Sequence, residues 1–221
     1  MTLGQLLLFN VSFRWYHLFM SKIDDNKQLK RNALLNTAFD LFTTGKGFQK
    51  TSISDIVDRA GVAKGTFYLY FKDKYDIRNR LIARKAASIF LKATSALKRH
   101  KDTTSVEDKI IFIVDYVYGL FEKDKTLLGF ISKNLSWGIF KNVLINSREE
   151  TDVDFREVFL DLFNNSDVKY QNPEVLIFMI VEFVSSTAYS SILYGEPLEM
   201  NELKPYLDTA IRQIIQGQRV N

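Results

Sequence analysis

A short segment rich in lysine, tyrosine and glycine holds the residues best suited to bind a charged partner. Lysine and tyrosine side chains reach phosphate oxygens and base edges, and a glycine lets the backbone come close to a DNA groove. A leucine among them can contact a thymine methyl group. The predicted DNA-binding residues are Thr51, Ser52, Lys64, Gly65, Thr66, Tyr68, Leu69, Tyr70, Lys72 and Lys74.

The sequence contains no residue pattern typical of a catalytic site or a metal site. The chain has no cysteine, which excludes disulfides, thiol catalysis and cysteine–zinc sites. Its two histidines, His17 and His100, lie far apart, and neither has a candidate nucleophile nearby. The sequence also lacks a phosphate-binding glycine loop and an HExxH motif. We predict no catalytic residue, no metal site and no cofactor. An enzyme whose active site is built from scattered Asp and Glu residues is the alternative.

Two helices joined by a tight turn are predicted to position the DNA-binding residues. Ser52 is a good N-cap, and Asp55 three residues later completes a capping box. The first helix therefore begins near Ile53, and its apolar residues recur at helical spacing as far as Ala60. Gly61 supplies the backbone freedom that ends this helix.

The second helix is predicted to run from Ala63 to Phe71, with Phe67 and Phe71 directed to the core. The opposite face then carries the polar, basic and glycine residues. An amphipathic hairpin with a solvated basic face would show part of this pattern. The turn glycine, the exposed glycine and the interleaved aromatic and basic residues occur together here, which favours DNA binding.

These residues resemble the TetR/AcrR family of bacterial transcriptional regulators over about residues 27–82. The resemblance implies a three-helix DNA-binding head and a larger helical body that dimerises and usually binds a small molecule. It also implies double-stranded operator DNA as a partner. The matching motifs are Gly47-Phe48, Thr51-Ser52-Ile53, Asp55-Ile56, Ala60-Gly61-Val62, Lys64-Gly65-Thr66-Phe67-Tyr68, Tyr70-Phe71 and Lys72-Asp73-Lys74.

Two positions depart from the family pattern. Ala63 stands where the family often has serine, so a helix cap and a possible phosphate contact are missing. Leu69 stands where a polar or aromatic residue is common, so the base preference at that position is expected to differ.

The net positive charge is concentrated in the first third of the chain. The formal net charge is +4 in total; it is +4 for residues 20–75, +1 for residues 1–19 and −1 for residues 76–221. Positive charge around the predicted helix pair is what phosphate binding requires.

Three regions are predicted: an N-terminal extension at residues 1–19, a helix-turn-helix DNA-binding domain at residues 20–74, and a helical ligand-binding and dimerisation domain at residues 75–221. The extension is apolar and aromatic but lacks the basic start and cleavage site of a signal peptide. Met20 is the expected natural start; alternatively, the extension is an extra helix packed on the body. A cytoplasmic protein without a membrane anchor is expected.

The body is predicted to be all-α. Two C-terminal helices are predicted, from Val175 to Tyr194 and from Asn201 to Gln216. Both are more apolar than packing within one monomer requires, which favours a dimer seam formed by the two helices. Alternatively, both helices belong to the internal core. The other predicted helices are Lys27–Thr44 in the head and Asp76–Lys98, Val106–Glu122, Thr126–Ile145 and Arg148–Phe163 in the body.

Aromatic residues with a few polar neighbours in the middle helices suggest a small-molecule cavity. If Glu182 is buried in this cavity, it could select a cationic or hydroxylated ligand. The alternatives are that Glu182 lies at a dimer edge or in solvent, and that most of the aromatic residues belong to the core. The predicted ligand-binding residues are Tyr116, Phe130, Asn134, Trp137, Phe140 and Glu182.

The sequence thus predicts a DNA-binding regulator that is not an enzyme. Its simplest form is a homodimeric repressor that binds a palindromic operator and is released by a small molecule. One alternative is a DNA-binding regulator controlled by a protein partner. Another is a helical small-molecule-binding protein or enzyme with an incidental basic hairpin.

Overall fold

The computed structural model describes residues 25–44, 46–100, 105–132, 135, 138, 162–163 and 168–220. Within these residues every regular element is a helix, and β pairing is limited to one isolated antiparallel bridge between Tyr170 and Arg219. The predicted all-α fold is confirmed. The predicted extension at residues 1–19 lies outside the described residues.

The chain divides into two compact units, Met1–Arg78 and Asn79–Asn221. The predicted domain boundary falls at the start of a long helix, whereas the structural division falls inside that helix. The first unit holds α1 (residues 25–43), α2 (Gly47–Lys50), α3 (Ile53–Ala60), α4 (Lys64–Tyr70) and the start of α5 (Lys74–Leu97). The second holds the rest of α5, then α6 (Val106–Lys123), α7 (Lys125–Ser132), α8 (Pro173–Tyr194) and α9 (Met200–Gly217).

The first unit packs its helices around a small apolar core. Helix α1 contributes Leu34 and Leu35, and both are fully buried. The predicted inward side chains of α4 are confirmed, since Phe67 is 0% exposed and Phe71 is 1% exposed. Their ring centroids lie 5.5 Å apart. This core fixes which face of α4 remains outside.

The second unit is centred on α8, which contacts α6, α7 and α9. Asn172 caps α8 by accepting hydrogen bonds from the N–H groups of Glu174 and Val175, and Pro173 occupies the first turn. Gly195 ends the helix at φ 67°, a left-handed conformation that favours glycine. Sequence signals at both ends of α8 therefore set its length.

Helix α8 is long and apolar enough to cross a membrane by length and composition, with a mean hydropathy of 1.7 in its most apolar window. In the structure it packs on three other helices and buries residues such as Leu176, Ile180 and Ala188. One side of α8 is thus covered within the monomer, and 33% of its most apolar window is buried.

The predicted helix from Thr126 to Ile145 is wrong in its extent. The observed helix α7 ends at Ser132, and Leu135 is not helical. Most of the remainder of that prediction, and most of the predicted helix from Arg148 to Phe163, lies outside the described residues. The apolar periodicity in this part of the sequence did not mark the break after α7.

Candidate nucleic-acid interface

The start of α3 is held by the predicted capping box. The Ser52 hydroxyl accepts a hydrogen bond from the Asp55 N–H at 3.1 Å, and the Asp55 carboxylate accepts one from the Ser52 N–H at 2.8 Å. Lys46 Nζ lies 2.9 Å from Asp55 Oδ1. The Ser52 backbone hydrogen bond and then the Lys46 contact hold the pKa of Asp55 well below its usual range. The Ser52 hydroxyl therefore already serves the helix start.

The turn between α3 and α4 depends on Gly61. This residue adopts φ 67° and ψ 34°, and its N–H donates to the carbonyls at the end of α3. The Val62 N–H adds a hydrogen bond to Val57 O at 3.0 Å. Ala63 begins α4 without a side-chain cap, as its departure from the family pattern implies. The turn is thus set by backbone conformation.

Helix α4 presents a continuous outer surface next to its buried phenylalanines. Leu69 is 79% exposed and Tyr68 is 54% exposed. Lys64 and Gly65 are also exposed, and Lys72 follows the helix as a further exposed cation. Thr66 and Tyr70 are half-buried at the edges of this surface. We call the residues Lys64, Gly65, Thr66, Tyr68, Leu69, Tyr70 and Lys72 the α4 surface.

Two of the predicted DNA-binding residues are engaged inside the first unit instead. Thr51 is 1% exposed, and its hydroxyl donates to Gly47 O at 2.8 Å. Its side chain closes the turn between α2 and α3, so we leave it out of the proposed interface. Ser52 is exposed but serves the capping box.

Lys74 holds the end of α2. Its ammonium group donates to Phe48 O at 2.9 Å and to Gln49 O at 3.2 Å, and it lies 4.6 Å from the Phe48 ring centroid. Carbonyl groups at a helix C-terminus carry partial negative charge, so a cation is favourable there. Lys74 therefore has a structural contact within the first unit, and its phosphate contact stays a prediction.

Loss of the capping hydroxyl should weaken the first unit measurably. For Ser52→Ala we expect the free energy of unfolding to fall by about 1 kcal/mol, a typical effect of removing an N-cap side chain. Urea unfolding at neutral pH measures it, with the exposed neighbour Ser54→Ala as the matched control. An equal effect of both substitutions would contradict the capping role.

The same cap predicts a pH dependence. The pKa of Asp55 is lower in the folded protein than its unfolded value of 3.8. The contribution of the Asp55 carboxylate to the free energy of unfolding is therefore present above that pH and is lost as the pH falls through the folded pKa. We therefore expect the stability difference between the wild type and Ser52→Ala to shrink below about pH 4. A difference that stays constant down to pH 2 would exclude a contribution of the Ser52 hydroxyl to the lowered pKa of Asp55.

The second unit contains an apolar cavity of about 130 Å³ that is partly open to solvent. It lies between α5, α6, α7 and α8, and the wall residues that the structure describes all belong to this unit. The described wall residues are Ala86, Ile89, Phe90, Ile110, Ile113, Val114, Val117, Phe121, Ile131, Leu135, Leu162, Ile177, Ile180, Val181, Val184 and Ser185.

The predicted ligand-binding residues that the structure describes do not line the cavity. Glu182 is exposed on α8, and Tyr116 and Phe130 are absent from the described cavity wall. Asn134, Trp137 and Phe140 lie outside the described residues. Glu182 is therefore not a buried selector of a ligand, and its exposure agrees with the alternative placements at a dimer edge or in solvent.

Sequence reasoning missed the wall residues because they look like ordinary core positions. On α6 they recur from Ile110 to Phe121 at the spacing of one helical face. That spacing identifies a buried face but does not tell a filled interior from a hollow one. Lys46 was also missed as the ionic partner of Asp55.

Comparison with known proteins finds a family model that matches part of the chain. Residues 34–81 match the family model described as "Bacterial regulatory proteins, tetR family". Over 103 residues the chain is 33% identical to an uncharacterised HTH-type transcriptional regulator, YvdT, of Bacillus subtilis strain 168, covering 45% of this chain and 49% of the relative. Over 101 residues it is 27% identical to the fatty acid metabolism regulator protein of the same organism, covering 46% and 50%. The chain thus spans about half the length of the curated relatives it matches.

Solved structures extend the likeness of fold to most of the chain. A TetR-like transcriptional regulator from Rhodococcus sp. RHA1 aligns with a TM-score of 0.52 at 20% identity, covering 86% of this chain and 97% of that chain. The fatty acid degradation regulator FadR from Bacillus halodurans aligns with a TM-score of 0.53 at 19% identity, covering 81% and 96%. At these identities the alignments establish a shared fold for both units.

Proposed function

We propose that this chain, whose residues 34–81 match the model of the TetR family of bacterial regulatory proteins, is a homodimeric transcriptional repressor released from a palindromic operator by a small molecule. The observation that carries this proposal is the α4 surface, an exposed face of cationic, aromatic and glycine residues on a helix that Phe67 anchors to the core. A cytoplasmic location follows from access to the chromosome.

In the proposed complex α4 enters the major groove. Lys64, Lys72 and the Tyr68 hydroxyl lie at the phosphates, and Leu69 faces the base edges. The ammonium groups of Lys64 and Lys72 make no hydrogen bond or ion pair with another residue of the described chain. Two heads of a dimer would place their α4 helices about 34–36 Å apart, one turn of DNA.

We propose that the dimer forms through α8 and α9. Val175 is 43% exposed and Phe178 is 38% exposed on α8, and Tyr206 is 68% exposed on α9. The apolar stripe of α9 is largely used inside the monomer, since Leu207 and Ile211 are buried. The apolar part of the seam is therefore expected mainly on α8, with Glu182 on the same exposed side.

The cavity supports control by a ligand. Ala86, Ile89 and Phe90 of its wall belong to α5, the helix that begins in the first unit at Lys74. A molecule that enters the cavity would shift α5 and thereby the preferred separation of the two heads. A coupling of about 1–3 kcal/mol is enough to change operator affinity roughly 5–150-fold.

The decisive experiment is DNA binding by the purified protein. The DNA that flanks its own gene is compared with a scrambled sequence of equal length, and each is titrated with salt. We expect selective binding whose affinity falls steeply with salt, because each neutralised phosphate adds about 0.9 to the logarithmic slope. Weak binding with no difference between the two sequences would overturn the proposal.

Two neighbouring residues of the α4 surface should affect DNA binding differently. Tyr68→Phe removes only a phosphate-contacting hydroxyl, so we expect a similar loss of affinity for every sequence. Leu69→Ala removes an apolar contact to bases, so we expect changed preference at one or two base pairs, by about 1–3 kcal/mol for the best contact. Selection from a randomised operator library measures both profiles. An unchanged profile for Leu69→Ala would remove that residue from the base-reading set.

A further inference from the structure

We infer that the ligand of the second unit carries an extended hydrocarbon chain and that this chain lies along α6 inside the cavity. The inference rests on the proposed ligand-responsive function and names the chemical class of the effector. It is carried by the chemistry of the cavity wall and by the length of α6 that the cavity follows.

The described wall is almost entirely hydrocarbon. Every wall residue in the described part of the chain has an apolar side chain except Ser185. A charged or multiply polar ligand would lose its hydrogen bonds to water here without gaining partners. Water itself needs two to four polar partners and is poorly held in such a space. Alkyl groups are the ligand chemistry that this wall favours.

The cavity wall extends along much of α6. The wall runs on this helix from Ile110 to Phe121, a distance of about 16 Å at 1.5 Å per residue. On α8 it runs from Ile177 to Ser185, or about 12 Å. We call the space along this wall the channel. Such a channel fits a single chain better than a compact ring system.

The cavity is partly open to solvent, so a polar head group can stay in water while the chain is buried. Fatty acids and long-chain alcohols share this chain and differ in the head. If the chain dominates recognition, affinity should follow its length for both head groups. If a wall group recognises the head, the two series should separate.

The test is isothermal titration of the full chain with hexanoate, octanoate, decanoate and dodecanoate, and with the 1-alkanols of equal length, below their micelle concentrations. Affinity should rise about fourfold per added methylene, the fold-change for moving one methylene out of water, until the channel is full. A similar profile for both series is expected. Binding that does not depend on length, or tighter binding of 2-naphthoate than of decanoate, would overturn the inference.

Substitutions that block the channel test where the hydrocarbon chain of the ligand lies. Val117 stands midway along the α6 wall, so Val117→Phe should move the length at which affinity levels off to shorter chains. Glu122→Phe, at an exposed position of the same helix, should leave the profile unchanged. Ala86→Leu fills the cavity from α5 and provides a second test if Val117→Phe does not fold. If neither wall substitution changes how affinity depends on ligand length, the hydrocarbon chain lies outside the cavity and the inference is overturned.

Release of operator DNA is measured separately on the same samples. Length-dependent binding that leaves operator affinity unchanged supports the ligand class and contradicts the effector role. Selective operator binding without any length-dependent ligand binding overturns the ligand class and leaves the DNA-binding proposal intact. Failure of one proposal is therefore distinguishable from failure of the other.

Discussion

Phe67→Ala is expected to abolish DNA binding by unfolding the first unit. Phe67 is 0% exposed and packs against the Phe71 ring at 5.5 Å. Truncation of a fully buried phenylalanine costs about 3–5 kcal/mol through lost burial and the cavity left behind. This is a large part of the total stability of a small unit, which is on the order of 5–15 kcal/mol. Hydrogen exchange should show lost protection in α1 to α4 and retained protection in α6 to α9.

The matched control lies two residues along the same helix. Leu69 is 79% exposed, so Leu69→Ala removes a similar apolar side chain without opening the core. Its urea unfolding curve should coincide with that of the wild type within about 0.5 kcal/mol, the usual range for surface substitutions. Equal destabilisation by both substitutions would contradict the assignment of inner and outer faces on α4.

Lys74→Met is expected to lower the stability of the first unit by about 2 kcal/mol, within the range for hydrogen bonds to charged groups. Methionine keeps the length of the side chain over the Phe48 ring but cannot donate to the two carbonyls of α2. DNA affinity should fall only as far as the folded fraction falls, and its salt dependence should remain that of the wild type.

Lys72→Met should have the opposite effects. Lys72 is exposed, so unfolding in urea should be unchanged, while the logarithmic salt slope of DNA binding should fall by about one phosphate contact. Purified variants are compared by urea unfolding and by salt titration of operator binding. If Lys74→Met lowers the salt slope while leaving stability unchanged, the original prediction of a phosphate contact for Lys74 would be restored.

The helix pair could be predicted well because its determinants are local. Ser52, Asp55 and Gly61 act on backbone groups within a few residues, and the observed α3 begins at Ile53 and ends at Ala60 as predicted. The orientation of α4 also followed from spacing alone, since Phe67 and Phe71 lie one helical turn apart. Short-range hydrogen bonds and helical periodicity are readable from a sequence.

The role of Lys74 could not be predicted in this way. Its carbonyl partners at Phe48 and Gln49 lie 26 and 25 residues earlier in the chain. A lysine beside a basic helix looks the same in the sequence whether it binds phosphate or a distant carbonyl. The contact depends on how α2 and α5 meet, which is a property of the folded unit.

The cavity was misplaced for a related reason. Helix α8 is apolar on nearly every side, so its sequence does not reveal which face is covered. Glu182 was predicted to lie in the cavity but is exposed, whereas Ile177 and Val181 form part of the wall. Whether four apolar faces meet tightly or leave a channel depends on side-chain volumes summed across helices that are distant in sequence.

The hollow interior of the second unit also makes the melting temperature of this protein an indicator of ligand occupancy. A ligand that binds only the folded chain adds RT ln(1 + [L]/Kd) to its stability, or about 2.7 kcal/mol at a concentration of 100 Kd. An upward shift in thermal unfolding therefore reports binding to the folded chain, and a shift that Val117→Phe reduces reports occupancy of the cavity. A library of metabolites can be ranked in this way before the operator is known, so the search for the effector need not wait for the search for the DNA site.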